Sequence, residues 1–134
     1  MVLLDTFVWI EFFKNRPSIP LEPLELLLEE RKIAICHPIR AEILSGRMTP
    51  KTQNIIVRAM EAISFVDLDW NSQKTWDQIA DLAQTAERHK IVIPSVVDRM
   101  ILLSAKESGC QLWTLDKKLN KLATIVGVPL YNPS

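Results

Sequence analysis

Short apolar runs alternate along the chain with longer segments in which apolar residues recur at helical spacing. The runs at residues 2–4, 33–36, 65–68 and 111–115 predict strands, and residues 127–131 predict a further strand at the edge of a sheet. Helices are predicted over residues 6–13, 24–31, 39–45, 95–107 and 118–124, and two more begin at Thr49-Pro50 and at Asn71 or Ser72. The run at residues 91–93 is too short to assign to a strand or to a loop.

The alternation of strands and helices defines the expected fold class. Strands separated by helices are typical of a mostly parallel sheet covered by helical layers. The chain has 134 residues and three glycines, and it contains no low-complexity linker or repeat. We therefore expect a single α/β domain over residues 1–134, with three layers in the order α/β/α.

The composition narrows the possible partners and the location. Hydrophobic residues make up 48% of the chain, enough for a substantial core, while the formal net charge is +0 and the pI is near 6.7. Contacts with nucleic acid must therefore come from a local basic patch. No run approaches the roughly 18 apolar residues of a membrane span, and the start lacks the basic segment of a secretory signal. We expect a cytoplasmic protein without membrane association, in which Cys36 and Cys110 are buried thiols.

Four acidic residues lie where a parallel sheet would bring them together. Asp5 and Asp116 each follow an apolar strand directly, Glu42 lies early on the helix after the second strand, and Asp98 lies in the first turn of a largely apolar helix. Ligands of open α/β sheets bind beyond the carboxyl ends of the strands. We therefore expect all four carboxylates at the same edge of the sheet.

Four ionised carboxylates at one edge require a compensating charge. A like-charged pair about 4 Å apart costs about 4 kcal/mol at an effective dielectric near 20. Carboxylate oxygens are the ligands that Mg²⁺ and Mn²⁺ favour, and such ions activate water and neutralise phosphoryl oxygens. The acids therefore predict a site for Mg²⁺ or Mn²⁺ and hydrolysis of phosphodiesters.

Ordinary structural roles remain open for each acid taken alone. Asp116 can cap the helix that follows it, and Asp98 is favoured in a first helical turn by the helix dipole. Glu42 can be a solvated residue paired with Arg40 or Arg47. Asp5 is the hardest to explain in this way, because an isolated carboxylate in an apolar run is costly to bury.

Four short segments around these acids can be compared with known families. They are residues 4–13 (LDTFVWIEFF), 40–44 (RAEIL), 98–105 (DRMILLSA) and, after Gly109, 112–116 (LWTLD). In order and separation they resemble the motifs of the PIN-domain nucleases, and among these the VapC-like toxin ribonucleases. The resemblance covers nearly the whole chain. Phe7 departs from it, because many relatives carry a small hydroxyl residue there, and so does Arg99, where a small residue is frequent.

The resemblance implies a PIN-like α/β/α domain that acts as an endoribonuclease dependent on Mg²⁺ or Mn²⁺. It implies that a metal-bound water attacks an RNA phosphodiester, and that the chain forms a homodimer and binds a small antitoxin protein. The metal-binding acids that it implies are Asp5, Glu42, Asp98 and Asp116. It further implies that Thr114 supports the site and that Thr6 orients Asp5 or the catalytic water.

Basic and aromatic residues near the acids are candidates for RNA binding. The preferred substrate contacts are Arg99, Arg40 and Lys117, and Arg47, Lys51 and Lys118 are further candidates. The four tryptophans are expected in the core, and His37 and His89 are assigned no catalytic role. The stripe of Leu24, Leu27, Leu28, Phe12, Phe13 and Ile19 is assigned either to the core or to a groove for an antitoxin helix.

Two other functions remain open. A receiver-like domain would accept a phosphoryl group on a strand-end aspartate, but it would need paired acids after the first strand, where Asp5 is followed by Thr6. A non-catalytic PIN-like module would bind RNA or protein without cutting it. Cleavage that depends on a divalent cation separates the nuclease from both.

Overall fold

The computed structural model describes residues 1–14 and 17–133. In chain order, the elements are β1 (Val2–Leu4), α1 (Thr6–Phe12), α2 (Leu21–Glu29), β2 (Ile33–Ile35), α3 (His37–Leu44), α4 (Pro50–Glu61), β3 (Ser64–Phe65), α5 (Gln73–Arg88), α6 (Val96–Ser108), β4 (Gln111–Trp113) and α7 (Lys117–Ile125). The break predicted between Lys14 and Pro17 falls partly on Asn15 and Arg16, which lie outside the described residues.

The strands form one parallel sheet in the order β3-β2-β1-β4 among the described residues. In this sheet Val2 is in register with Ile33 of β2 and with Gln111 of β4, so that β1 lies between the second and the last strand. The carboxyl ends of all strands therefore lie at one edge. This confirms the predicted α/β class with a parallel sheet, and the helices that surround it are consistent with three layers.

The core forms where apolar strands meet the apolar faces of the helices. The side chains of Leu3, Leu4 and Ile35 are fully buried in the sheet, as are Leu102 of α6 and Leu122 of α7. Strands this short and almost wholly apolar are typical of a parallel sheet that is covered on both faces. Close packing around them fixes the positions at which the strands end.

Several helices begin and end where the local chemistry favours it. Thr49 caps α4 by accepting a hydrogen bond from Thr52 N, and Pro50 occupies the first turn, where its missing N–H costs nothing. Ser95 caps α6 in the same way, and Gly109 ends that helix with a φ of 71°, a left-handed conformation that suits glycine. These ends match the sequence predictions closely.

Some of the sequence predictions were wrong in extent. The third strand comprises Ser64–Phe65 rather than residues 65–68, and residues 127–131 contribute a single bridge from Leu130 to Leu112 instead of a strand. The helix predicted over residues 39–45 begins earlier, at His37, because Pro38 is accommodated in its first turn. Residues 91–93 form neither helix nor strand.

Burial confirms most of the core assignments and corrects one, that of Trp76. Cys36 and Cys110 are free and buried, and Trp9 and Trp113 are core residues. Trp76, however, is 39% exposed, since its indole ring packs on Trp70 at the surface instead of entering the core.

The leucine stripe proposed as core or groove belongs mostly to the core. Leu24, Leu27 and Ile19 are buried, Leu28 and Phe12 are partly buried against the same core, and Phe13 is partly exposed. This stripe therefore offers little free surface to a partner helix. Among the described residues, no helix has the length and the apolar character needed to cross a membrane.

Candidate active site

Asp5 is a buried carboxylate at the carboxyl end of the central strand. Its side chain is 3% exposed, and the residue serves as the N-cap of α1. Oδ1 accepts a hydrogen bond from Thr6 N at 2.8 Å, and Oδ2 accepts one from Thr114 Oγ1 at 2.7 Å. Both oxygens are therefore held by the protein, which fixes the orientation of the carboxylate.

Burial controls the protonation of Asp5. Desolvation raises the pKa of Asp5 to about 6, although the bonds from Thr114 and Thr6 lower it, and the charges of Asp98 and Glu42 add to the rise. Asp98 and Glu42 therefore lie near enough to act on Asp5. An acid held in this way is poorly stabilised as an anion unless a cation is present.

Thr114 connects the first acid to the last. Its hydroxyl donates to Asp5 Oδ2 and accepts a hydrogen bond from Asp116 N at 3.1 Å. Thr114 follows β4 directly, and β4 pairs with β1, so the sheet itself brings these residues together across 109 positions of sequence. The supporting role that the resemblance implies for Thr114 is consistent with this position.

Asp116 has a structural role at the start of α7. Its Oδ1 accepts hydrogen bonds from Lys118 N and Leu119 N, and its Oδ2 lies 2.6 Å from Lys118 Nζ. Burial opposes ionisation, but the bonds from Lys118 and from the backbone outweigh it and hold the pKa of Asp116 below its ordinary value. The capping role left open from the sequence is thus present, and it does not remove Asp116 from the acidic edge.

Glu42 and Thr6 are joined across α3 and α1. Thr6 Oγ1 donates to Glu42 Oε1 at 2.5 Å, while the backbone N–H of Thr6 binds Asp5. Thr6 therefore orients two acids at once, one through its backbone and one through its hydroxyl. The Glu42 residue as a whole is exposed.

Asp98 lies in the first turn of α6, as the sequence predicts. Its backbone N–H donates to Ser95 Oγ at 3.1 Å, and its side chain is partly buried.

The pKa of Lys118 reflects the acids around it. The hydrogen bond with Asp116 raises this pKa, partial burial opposes the rise, and the charges of Asp116, Asp98 and Asp5 raise it further. Lys118 thus lies within the field of three of the four acids.

Asp98 and Glu42 lie near enough to Asp5 to act on its charge, and Thr114 joins Asp5 to Asp116. Carboxylate oxygens around a buried aspartate of raised pKa are the donor set that Mg²⁺ or Mn²⁺ would stabilise. As placed, however, no three His, Cys, Asp or Glu side chains in residues 1–14 and 17–133 form a metal-holding group. Glu42 is engaged by Thr6 and Asp116 by Lys118, so these carboxylates are directed at neighbouring side chains.

The predicted substrate contacts differ in their surroundings. Arg99 donates from Nε to Pro94 O at 3.0 Å and from Nη1 to Ile79 O at 2.8 Å, which ties its guanidinium to the framework. Arg40 is partly buried and Lys117 is exposed. Their roles in binding RNA stay predictions. Lys118, a lesser candidate from the sequence, is the residue whose ammonium group contacts an acid of the site.

One pair at this edge was missed from the sequence. Asp67, just beyond β3, binds both the backbone N–H and the ring of His37. The signal was present, because an acid closely follows a strand there as it does at Asp5 and Asp116. It went unused because the predicted strand extended past Asp67, and because partners 30 residues apart cannot be paired from spacing alone.

A family model described as PIN domain matches residues 2–125 of the chain. The chain belongs to the PIN domain family. The resemblance drawn from the four acidic segments is thereby confirmed at the level of the family. Among curated proteins, this PIN domain is 28% identical over 130 residues to VapC ribonuclease Mb1587 of Mycobacterium bovis and to ribonuclease VapC11 of Mycobacterium tuberculosis, with 96% of both chains covered.

Solved structures share the fold of this PIN domain. VapBC2 from Rickettsia felis, bound to a DNA fragment from its promoter, has a TM-score of 0.73 at 22% identity, with 98% of each chain covered. FitAcB from Neisseria gonorrhoeae has a TM-score of 0.68 at 20% identity, over 99% of this chain and 98% of that one. A toxin-antitoxin complex from Klebsiella pneumoniae has a TM-score of 0.69 at 20% identity, over 100% and 98% of the two chains. These likenesses extend over nearly the full length of this PIN domain.

Proposed function

We propose that this PIN domain is an endoribonuclease that depends on Mg²⁺ or Mn²⁺ and acts as the toxin of a toxin–antitoxin pair. The observation that carries the proposal is the connection from Asp5 through Thr114 to Asp116 at the carboxyl edge of the sheet. The ribonuclease names of the curated relatives, over almost the full length of the chain, support the same activity. Because the formal net charge is +0, RNA would be attracted by local basic side chains and not by a net positive charge of the chain.

The metal ligands in this proposal are Asp5, Glu42, Asp98 and Asp116. A bound Mg²⁺ or Mn²⁺ would supply an activated water and neutralise charge on the phosphoryl oxygens. The fixed orientation of Asp5, imposed by two hydrogen bonds, makes it the anchor of this set.

The neighbouring residues prepare these ligands. Thr114 keeps a donor on Asp5 Oδ2, which favours the ionised carboxylate that a cation needs. Thr6 holds Glu42 close to Asp5. Lys118 supplies positive charge beside Asp116 and is well placed to contact a phosphate of the RNA backbone.

The geometry favours the nuclease over a receiver-like phospho-acceptor. A receiver aspartate must present an accessible oxygen to a phosphodonor, whereas Asp5 is 3% exposed and both of its oxygens accept hydrogen bonds. A non-catalytic module that binds RNA or protein is the second candidate, because Glu42 and Asp116 are engaged by neighbouring side chains. Cleavage assays separate this candidate from the enzyme.

The decisive experiment is cleavage of RNA labelled at both ends, with Mg²⁺, with Mn²⁺ and with EDTA. We expect internal cleavage with either metal, none with EDTA, and none by the Asp98→Asn variant. Glu107→Gln is the matched control, because it neutralises an exposed acid on the same helix, α6, and should cleave like the wild type. Cleavage that persists in EDTA or in Asp98→Asn would contradict the proposal.

The toxin role predicts an effect in cells and a protein partner. Induced expression should arrest growth and generate new RNA 5′ ends, whereas Asp98→Asn should do neither. An apolar cavity of about 250 Å³ beside Glu42 is lined by Phe13, Ile43 and Met48, among other residues, and suits an apolar side chain of an antitoxin segment. We further propose a homodimer and a cytoplasmic location, and sedimentation of the purified chain tests the first.

A further inference from the structure

His37 is an exposed histidine whose ring is held in one orientation. Its Nδ1 lies 2.6 Å from Asp67 Oδ2, and its backbone N–H donates to Asp67 Oδ1 at 2.9 Å. The ring also packs on Phe65, with a centroid distance of 4.6 Å. The side chain nevertheless remains 65% exposed. A surface side chain with this many restraints has lost its rotamer freedom before any ligand arrives.

The partners of Asp67 determine which ring nitrogen of His37 carries a proton. Asp67 accepts from His37 N and from Trp70 Nε1 as well as from the ring, and an ionised carboxylate only accepts. His37 Nδ1 must therefore be the N–H that donates to Asp67. In the neutral ring, Nε2 is then a bare acceptor on a largely exposed side chain.

This acceptor lies at the same sheet edge as the acids. His37 follows β2 by two residues and Asp67 follows β3 by two, while β2 is the direct neighbour of β1, which ends at Asp5. Neighbouring strands are about 5 Å apart, and β2 alone lies between β1, which Asp5 follows, and β3, which Asp67 follows. Cys36 directly follows β2, which lies between β1 and β3 in the sheet.

We propose that His37 Nε2 accepts a hydrogen bond from a ribose 2′-hydroxyl of RNA bound along this edge, and so favours RNA over DNA. The inference rests on the proposed function, because it assumes that the RNA strand reaches from the acids across the end of β2. A 2′-hydroxyl supplies the proton that a bare Nε2 needs, whereas a phosphate oxygen is itself an acceptor. The 2′-hydroxyl is also the group by which a protein distinguishes RNA from DNA.

Asp67 is the positioning residue in this arrangement. It does not touch the RNA, and it acts by fixing the proton on Nδ1 and the plane of the ring. The pair could instead be purely structural, with Asp67 accepting hydrogen bonds from the first N–H of α3 and from the Trp70 indole. In that case, a change at His37 would affect the binding of RNA and of DNA equally. Sensitivity to the 2′-hydroxyl therefore separates the two roles.

The test uses the Asp98→Asn chain, which is expected to bind without cleaving, and single-stranded oligonucleotides of one sequence. One is all RNA, one is all DNA, and the others carry a single 2′-deoxy substitution at successive positions. Affinities are measured by fluorescence anisotropy at about pH 8.5, where neutral imidazole prevails for histidines in general. His37→Phe keeps a ring on Phe65 and removes both nitrogens, and exposure of the side chain means that the core is untouched.

We expect RNA to bind more tightly than DNA, and one 2′-deoxy position to weaken binding about 2- to 10-fold, the effect of losing one hydrogen bond. In His37→Phe, RNA should bind more weakly by the same factor, and that 2′-deoxy position should have no further effect. His89→Phe is the matched control, since His89 is also exposed but lies at the end of α5, and it should bind like the parent chain.

Two results would overturn the inference. One is an unchanged set of 2′-deoxy effects in His37→Phe, and the other is equal affinity for RNA and DNA in the parent chain. Cleavage by the wild-type chain with Mg²⁺ or Mn²⁺ is measured separately. If the wild type cleaves RNA but His37→Phe keeps the 2′-deoxy effect, the inference alone fails. If His37→Phe loses the 2′-deoxy effect but the wild type does not cleave RNA, the proposed enzymatic activity fails.

Discussion

Replacing Asp5 by asparagine should stabilise the fold at neutral pH while abolishing cleavage. The change keeps the size of the side chain and removes the charge that burial disfavours. The side chain is 3% exposed and the pKa of Asp5 is raised from 3.8 to about 6, with desolvation as the largest cause. Without a bound cation, the ionised carboxylate therefore lowers the free energy of unfolding.

The magnitude follows from the shift in pKa and from the hydrogen bonds. A rise of roughly two pKa units corresponds to about 3 kcal/mol at neutral pH. Asparagine keeps one oxygen to accept from Thr6 N but turns its amide group towards Thr114, whose hydroxyl proton then loses its acceptor. That loss costs about 1 kcal/mol. We therefore expect Asp5→Asn to be more stable by about 2 kcal/mol, or roughly 4–10 °C in Tm.

The sign of this effect depends on pH. Below the unfolded-state pKa of 3.8, both states of the wild type hold the proton, and Asp5 carries no penalty. Between pH 3.8 and about 6, the unfolded chain has released the proton while the folded chain retains it, so wild-type stability falls as the pH rises. The full penalty is present above about pH 6. The variant should thus be slightly less stable than the wild type near pH 3.5 and more stable at pH 7.5.

Urea denaturation with EDTA at these two pH values measures the difference. Asp81→Asn is the control, because it makes the same change on the exposed face of α5 and should alter stability by less than about 0.5 kcal/mol at either pH. Added Mn²⁺ should stabilise the wild type and not Asp5→Asn. A variant that is no more stable than the wild type at pH 7.5, with no crossover, would show that burial does not raise the pKa of Asp5.

Three further predictions concern the residues around the acids. Thr114→Val leaves a buried Asp5 oxygen without its donor, so it should cost about 1–3 kcal/mol in urea denaturation and move the acidic limb of the cleavage profile to higher pH, whereas Thr114→Ser should preserve both. Ser95→Ala removes the cap of α6 and should cost about 1 kcal/mol, while Ser72→Ala, at the start of α5 where no side-chain cap bond exists, should be nearly neutral; equal losses would contradict the capping assignment. Lys118→Met removes a cation that competes at the acidic edge, so calorimetry should show tighter Mn²⁺ binding, and Lys121→Met, an exposed change on the same helix, should leave it unchanged.

The parts of the fold that sequence reasoning located well are those with a local cause. The segment 2–4 becomes a strand and Asp5 begins the next helix, because an apolar run and a side-chain cap act within a few residues of each other. Ser95 and Gly109 define α6 for the same reason. The third strand was overextended, since pairing with β2 ends at Phe65 whatever the apolar pattern beyond it.

The assignment of the four acids as metal ligands stays a prediction, and the hydrogen bonds that hold these acids were not predicted from the sequence. Topology places the strand-end acids together, which a βα pattern already indicates. The group that each carboxylate binds depends on residues far away in the sequence and on the orientation of the helices. Glu42 and Thr6, for example, are 36 positions apart. The hydrogen bond of Arg99 could not be predicted for the same reason, because its partner is the carbonyl oxygen of Ile79, 20 positions earlier in the sequence.

The pairing of β1 with β4 has a consequence for biosynthesis. The central strand is made first, but Asp5 gains the hydroxyl of Thr114 only when the last strand has been translated. A nascent chain that stops before residue 111 lacks both the neighbour of β1 and the fourth acid. A growing chain on the ribosome therefore cannot assemble the acidic edge until β4, Thr114 and Asp116 have been translated.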